Sequence, residues 1–249
     1  MESALADLSL VDERAPQPAA TPAPASPSGA LLDRLLRDGD GLTTELLAAA
    51  DTRPYLASLA ALTAGGAAVF GLALGLQGGL LQALVSAVKF PLVVLGAAAI
   101  SLPLLHLAQA VFGRPLPPDK LSAVVLQALA TATLTMAGLI PLAVIAWLSL
   151  SRGAGPESAV AWMAYRRLVL GAVAAGAVGG VVGARRLARA VSWPALLPWT
   201  GALGLAGLQL SWLLRPVVGM PGALVLLRPL ESDGLTEVLT ALAAALGLS

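Results

Sequence analysis

No cysteine occurs anywhere in the chain. Disulfides, thiolate catalysis and thiolate metal sites are therefore excluded, while the compartment stays open. Histidine is almost as scarce: His106 stands alone, which excludes a histidine-rich metal site. Charge is thin, at 12% of 249 residues, against about 25% in a soluble domain. With 57% hydrophobic residues and a mean hydropathy of +0.84, the chain lacks the charge to cover a water-facing surface. The expected fold class is all-α, a polytopic membrane helix bundle. A net charge of +1 gives no reason to expect nucleic acid or an acidic partner.

Carboxylates are missing from the middle of the chain. Of 14 acidic residues, nine fall in the first 51 positions. The other five, Asp119, Glu157, Glu231, Asp233 and Glu237, fall in predicted loops or the C-terminal tail. None lies in a predicted span. Proton relays and cation pathways depend on intramembrane carboxylates, so a proton-coupled pump or a carboxylate ring is not expected. The sequence offers no HExxH, no phosphate-cradling GxxxxGK and no Ser-His-Asp arrangement that could be assembled within the membrane. "GAVGGVVG", residues 176–183, has the composition of a dinucleotide loop but sits in the middle of a span rather than after a strand. No catalytic residue, cofactor or metal is expected, and the chain reads as a non-enzyme.

What is present divides the chain into four parts. "MESALADLSLVDER" has neither the basic start nor the apolar core of a signal peptide. "APQPAATPAPASPSG", residues 15–29, carries five prolines and reads as an extended linker. Residues 1–29 are thus expected to be a disordered tail, with Leu5, Leu8 and Leu10 as a docking peptide on a tether. Residues 30–53 place Leu31, Leu32, Leu35 and Leu36 at helical spacing. Gly39 and Gly41 break that run, and Thr43 or Thr44 caps a second short helix. These amphipathic pieces are expected on the membrane surface or against the bundle.

Residues 54–214 hold five predicted spans of the roughly 20 apolar residues a bilayer requires. They run over 54–76, from Leu80 or Lys89 to Phe112, within 121–150, over 159–184 and over 191–214. Pro91, Pro103 and Pro141 are the predicted bends. Trp193, Trp199 and Trp212 lie near the ends of the last span, where an indole sits at headgroup level. With the N-terminus inside, nine Lys or Arg residues fall on the inner side: Arg14, Arg34, Arg37, Arg53, Arg114, Lys120, Arg185, Arg186 and Arg189. Three, Arg152, Arg215 and Arg228, fall outside. The positive-inside rule therefore predicts a cytoplasmic N-terminus.

The fourth part, residues 215–249, opens with Pro216–Leu227, too short to span and broken by Pro216, Gly219, Pro221 and Gly222. It is expected to be a re-entrant or interfacial hairpin, followed by an amphipathic helix over 235–246. Arg215 and Arg228 would then reach headgroups or helix-end carbonyls.

Two kinds of residue carry the remaining expectations. Gly71 and Gly75, and the pairs Gly176/Gly180 and Gly179/Gly183, put small residues four apart, a spacing that lets helix backbones approach closely in lipid. Lys89, His106, Arg166 and Arg167 are the ionisable residues in or near spans, and so candidate contacts for lipid, anion or partner. If the fourth span begins near Ala159, both arginines lie about two turns inside it.

"GGLLQALVSAVKFPLVVLGAAAISLPLLHLAQAVFGRPL", with the polar N-terminal tail and five spans, resembles the Yip1-like membrane proteins over about residues 54–214. Eukaryotic members of that family shape or sort vesicle membranes. "LQLSWLLRPVVGMPGALVLLRPLESDGLTEVLTALAAAL" is similar to a group of uncharacterised bacterial multi-pass proteins. Arg215, Pro216, Gly219, Pro221, Arg228, Pro229 and Glu237 match their pattern, with Val217 at its aromatic position. High Ala, Gly, Leu and Arg usage points to a GC-rich bacterium and thus to an inner-membrane location. The expected function is a multi-pass scaffold or anchor in that membrane. Protein partners or a second copy would meet its N-terminal tail and C-terminal segment. The alternative is a subunit of an anion or lipid transporter or channel using the intramembrane basic residues.

Overall fold

The computed structural model describes residues 27–112, 115–151 and 159–214. All regular structure among them is helical. Two short helices, α1 (Pro27–Arg37) and α2 (Gly39–Ala48), precede five long ones. These are α3 (Arg53–Gly75), α4 (Leu80–Phe112), α5 (Pro118–Ser151), α6 (Ala159–Leu187) and α7 (Trp193–Leu213). Four of them, α3 to α6, are long and apolar enough to cross a membrane. Helix α7 has 21 residues, about 31 Å of rise, and carries Gln209, two prolines and three tryptophans.

The long helices form a curved row in the order α7, α4, α3, α5, α6. A tight turn through Gly79 joins α3 to α4. Its φ of +89° is the left-handed conformation that a glycine adopts without penalty. Close packing follows the small residues. A side chain at Gly75 would meet Ala83 Cα at 2.5 Å, and Gly71 lies against Ser86 and Phe90. On α6, a Cβ at Gly179 would sit 2.6 Å from the Ala132 carbonyl oxygen, and one at Gly183 2.8 Å from that of Ala128. Helices in lipid gain no hydrophobic drive from one another, so such backbone approach is what holds them. The glycine expectation divides here. Gly180 faces open space and Gly176 meets only Met136, at 3.9 Å, because they lie on the flanks of the helix rather than on its contact line.

Helix lengths differ, and the difference makes a step. Helix α5 has 34 residues, about 51 Å of rise against about 30 Å of hydrocarbon. Helix α6 ends at Leu187, and its Gly183 stands opposite Ala128 of α5. With four more residues of α6 beyond Gly183, only the part of α5 from Pro118 to about Ala123 projects past the end of α6. The start of α3 runs alongside it, with Thr52 donating to Asp119 at 3.0 Å and Thr63 to the Leu126 carbonyl at 3.3 Å.

The α1–α2 hairpin packs over this end of the bundle as a cap, against α3, α5 and the end of α6. The amphipathic segment thus lies against the bundle, the second of the two placements the sequence allows. Leu31, Leu35, Leu42 and Leu46 are buried with Leu59 of α3 and Ala123 and Ala130 of α5. Each buried leucine contributes roughly 1.5–3 kcal/mol where the alternative is water. Two details differ from expectation. Residues 27–29, assigned to the linker, begin α1, with Pro27 at a position where a missing N–H costs nothing. The run breaks at Asp38, just before Gly39, and both glycines lie inside the first turn of α2. The cap of α2 is Asp38 rather than a threonine: its carboxylate accepts from the Gly41 N–H at 2.9 Å. The expected C-terminal hairpin and helix, and the tail over 1–26, lie outside the described residues.

Candidate functional site

The singled-out basic residues do not converge. Lys89 is on the third turn of α4, only 8% exposed, on the face that also carries Gln82 and Ser86. It is buried inside the protein rather than snorkelling along the lipid face. His106 lies 17 residues further along the same helix, about 25 Å away along the axis; its Nδ1 is buried with no hydrogen-bond partner among the described residues. Helix α6 begins at Ala159, so Arg166 and Arg167 lie two turns in, and both are exposed. Arg167 alone of the four lines a described cavity. This is an apolar groove of about 410 Å³ between α5 and α6, walled by Leu139, Ala143, Gly171 and Ala175. Arg215 and Arg228 lie outside the described residues.

The polar residues that the structure does gather are under the cap. Gln127 is buried on α5, and its amide donates to the Gly39 carbonyl at 2.7 Å. The Thr43 hydroxyl lies 3.0 Å from Gln127 Oε1 and 2.9 Å from the Gly39 carbonyl oxygen. At the other end of α2, Lys120 Nζ donates to the Leu47 carbonyl at 2.6 Å. That contact places a cation at the helix C-terminus, where the helix dipole favours it. Asp40, in the first turn of α2, is paired with both Arg186 and Arg189 from the end of α6. Helices α5 and α6 thus hold α2 along its length, by side chains far apart in the sequence.

A second cluster ties α1 to α2 and α3. Glu45 accepts from both Arg34 guanidinium nitrogens, Nη1 at 3.2 Å, and from the Tyr55 hydroxyl at 2.5 Å. The Arg34 hydrogen bond, with help from Tyr55, holds the Glu45 carboxyl down at about 2 against an ordinary 4.5. The same bond pushes Arg34 upward. A shallow recess of about 230 Å³ beside it is lined by Ala30, Leu31, Arg34, Pro54, Tyr55 and Ser58.

Sequence reasoning missed Gln127, Asp40 and Glu45. Gln127 had a signal: it is the one amide side chain in the uncharged run from Leu121 to Leu150, where an unpaired polar group is costly. Asp40 and Glu45 had none, since surface helices carry acids routinely.

These contacts give the hairpin a fixed seat. Nothing in them activates a nucleophile or holds a reacting group. No protein-family model, curated protein or solved structure matches the chain.

Proposed function

We propose that the chain is a non-enzymatic membrane scaffold or anchor of five spans with a cytoplasmic N-terminus, whose tail and C-terminal segment recruit partners. The observation that carries this reading is the seat of α1–α2. Buried leucines and the Gln127, Lys120, Arg186 and Arg189 contacts hold the hairpin on the bundle. The tail before Pro27 therefore leaves from a defined point rather than from a helix loose on the membrane. A tether with a fixed origin raises the local concentration of whatever it binds. Seven basic residues, Arg34, Arg37, Arg53, Lys120, Arg185, Arg186 and Arg189, belong to this end of the bundle, which supports placing it inside. A bacterial inner membrane is the proposed location, and the Yip1-like and bacterial multi-pass resemblances stand as part of the same reading.

The experiment is deletion of residues 1–26 with a photo-crosslinking residue placed elsewhere on the cap. The shortened chain should insert and melt as the full chain does, yet lose crosslinks to its partner. An unchanged crosslink pattern would remove the tail from the recruiting role.

A further inference from the structure

At the end of α6 three arginines point to different uses. Arg186 and Arg189 turn to Asp40 in the cap. Arg185 is exposed and makes no ion pair among the described residues. It lines a notch of about 260 Å³ between the end of α6 and the start of α7.

The notch exists because the two helices diverge at once from the turn at 188–192. Helix α6 follows α5, while α7 follows α4. Ser192 is tied to Gln109 of α4 by a hydrogen bond of 3.0 Å, which fixes the start of that divergence. The walls are apolar: Val181, Ala184, Leu187, Leu196 and Leu197, with Trp193 and Trp199. The size is just below the ~300–1,000 Å³ of drug-sized ligand sites, and suits the upper part of one acyl chain.

Two features point to the kind of occupant. The first is charge: the one cation of the notch stands where α6 ends, level with exposed Trp193, as at the headgroup layer of a membrane. The second is an unused donor. Trp199 is 4% exposed, and its indole N–H has no acceptor among the described residues. A buried indole N–H ordinarily finds a partner.

We propose that this notch binds an anionic phospholipid from the leaflet at the cap end of the bundle. Its phosphate pairs with Arg185 and the first part of an acyl chain lies between α6 and α7. An ester carbonyl entering beside Trp199 gives the orphan indole its acceptor. The inference does not depend on the scaffold reading, since a lipid can occupy the notch whatever the tail does.

The test uses the full chain, delipidated in mild detergent. Equal amounts of phosphatidylglycerol and phosphatidylcholine are added, and retained lipid is read by native mass spectrometry. Phosphatidylglycerol should be retained about fivefold over phosphatidylcholine, the scale of one well-placed basic residue. Arg185→Gln should abolish that preference, while Arg166→Gln, which removes an equal charge outside the notch, should keep it. Equal retention by the wild type, or a preference that survives Arg185→Gln, overturns the proposal. Should Arg185→Gln melt early, Val181→Phe gives an independent reading: it fills the notch, leaves every charge in place and should lower phosphatidylglycerol retention. Unchanged retention there overturns the proposal equally. In a third arm, inorganic phosphate alone should not raise the melting temperature as phosphatidylglycerol does. Equal protection would mark a simple anion site and overturn the acyl-chain assignment.

Discussion

At the residue scale, the glycines of α6 show how finely the packing is set. Gly179 and Gly180 are adjacent, yet one meets the Ala132 backbone and the other meets nothing within 4 Å. Gly179→Ala forces a methyl group against a carbonyl that cannot swing away, so it should destabilise by ~1–3 kcal/mol, the cost of overpacking. Gly180→Ala should do the opposite, by roughly 0.5–1 kcal/mol, because alanine restricts the unfolded chain at no steric cost. Melting of the two variants in the same detergent, read by circular dichroism, should separate them in sign. Glu45 gives a second test. Its carboxyl is held at about 2 in the folded chain against an ordinary 4.5. A depressed acid contributes stability that is complete above its ordinary value and is lost as pH falls from 4.5 towards 2. The cap of the wild type should therefore loosen across that window. Glu45→Gln should be less stable at neutral pH and should show a weaker loss over the same range. The group is partly exposed, so solvent screening keeps the effect small. Melting curves at pH 7, 4 and 3 measure it.

At the element scale, span boundaries could be read from the sequence because charge and turn residues mark them directly. The chain from Arg53 to Lys89 carries no formal charge, and Gln77–Gly79 interrupt it, so α3 and the start of α4 fell close to expectation. The seat of α1–α2 could not be read, for a physical reason. Its specificity lies in contacts between residues 84 and 88 positions apart, Thr43 and Gly39 with Gln127, and no local pattern encodes such a pairing. Local chemistry placed the break between α1 and α2 within a residue or two but not the cap of α2, which is Asp38 rather than a threonine. The seat makes a prediction of its own. Gln127→Ala removes a buried hydrogen bond and its partner for Thr43, at a cost of about 1–3 kcal/mol. If the hairpin opens as a unit, exposure of α2 should rise between about fivefold and a hundredfold. Leu46→Cys places a lone thiol at a fully buried position in a chain with no other cysteine. Its modification rate by a membrane-impermeant maleimide, with and without Gln127→Ala, reads that opening.

At the scale of the whole molecule, the row α7, α4, α3, α5, α6 leaves α6 and α7 as edges although they are consecutive in the chain. Helix α7 packs along α4, with Ser192 at Gln109, Gly207 near Ala97 and Leu210 near Gly96, so it returns antiparallel along the C-terminal part of α4. A helix of about 31 Å held in that way should cross the bilayer with its neighbours. The alternative leaves α7 on the surface at the cap end. The two differ in where Leu214 emerges, and the absence of native cysteine makes the difference measurable. Single cysteines at Ser28, Gly78, Ser192 and Leu214 can be labelled in intact cells with an impermeant thiol reagent. Five spans with the N-terminus inside require Gly78→Cys and Leu214→Cys to react from outside, and the other two only after lysis. If Leu214→Cys instead behaves like Ser192→Cys, α7 does not cross, and the C-terminal segment shares a side with the cap. That outcome would move both recruiting segments to one face. The reverse topology, with Ser28→Cys labelled from outside, would set seven basic residues on the wrong side of the positive-inside rule and remove the cytoplasmic tail on which the scaffold reading stands.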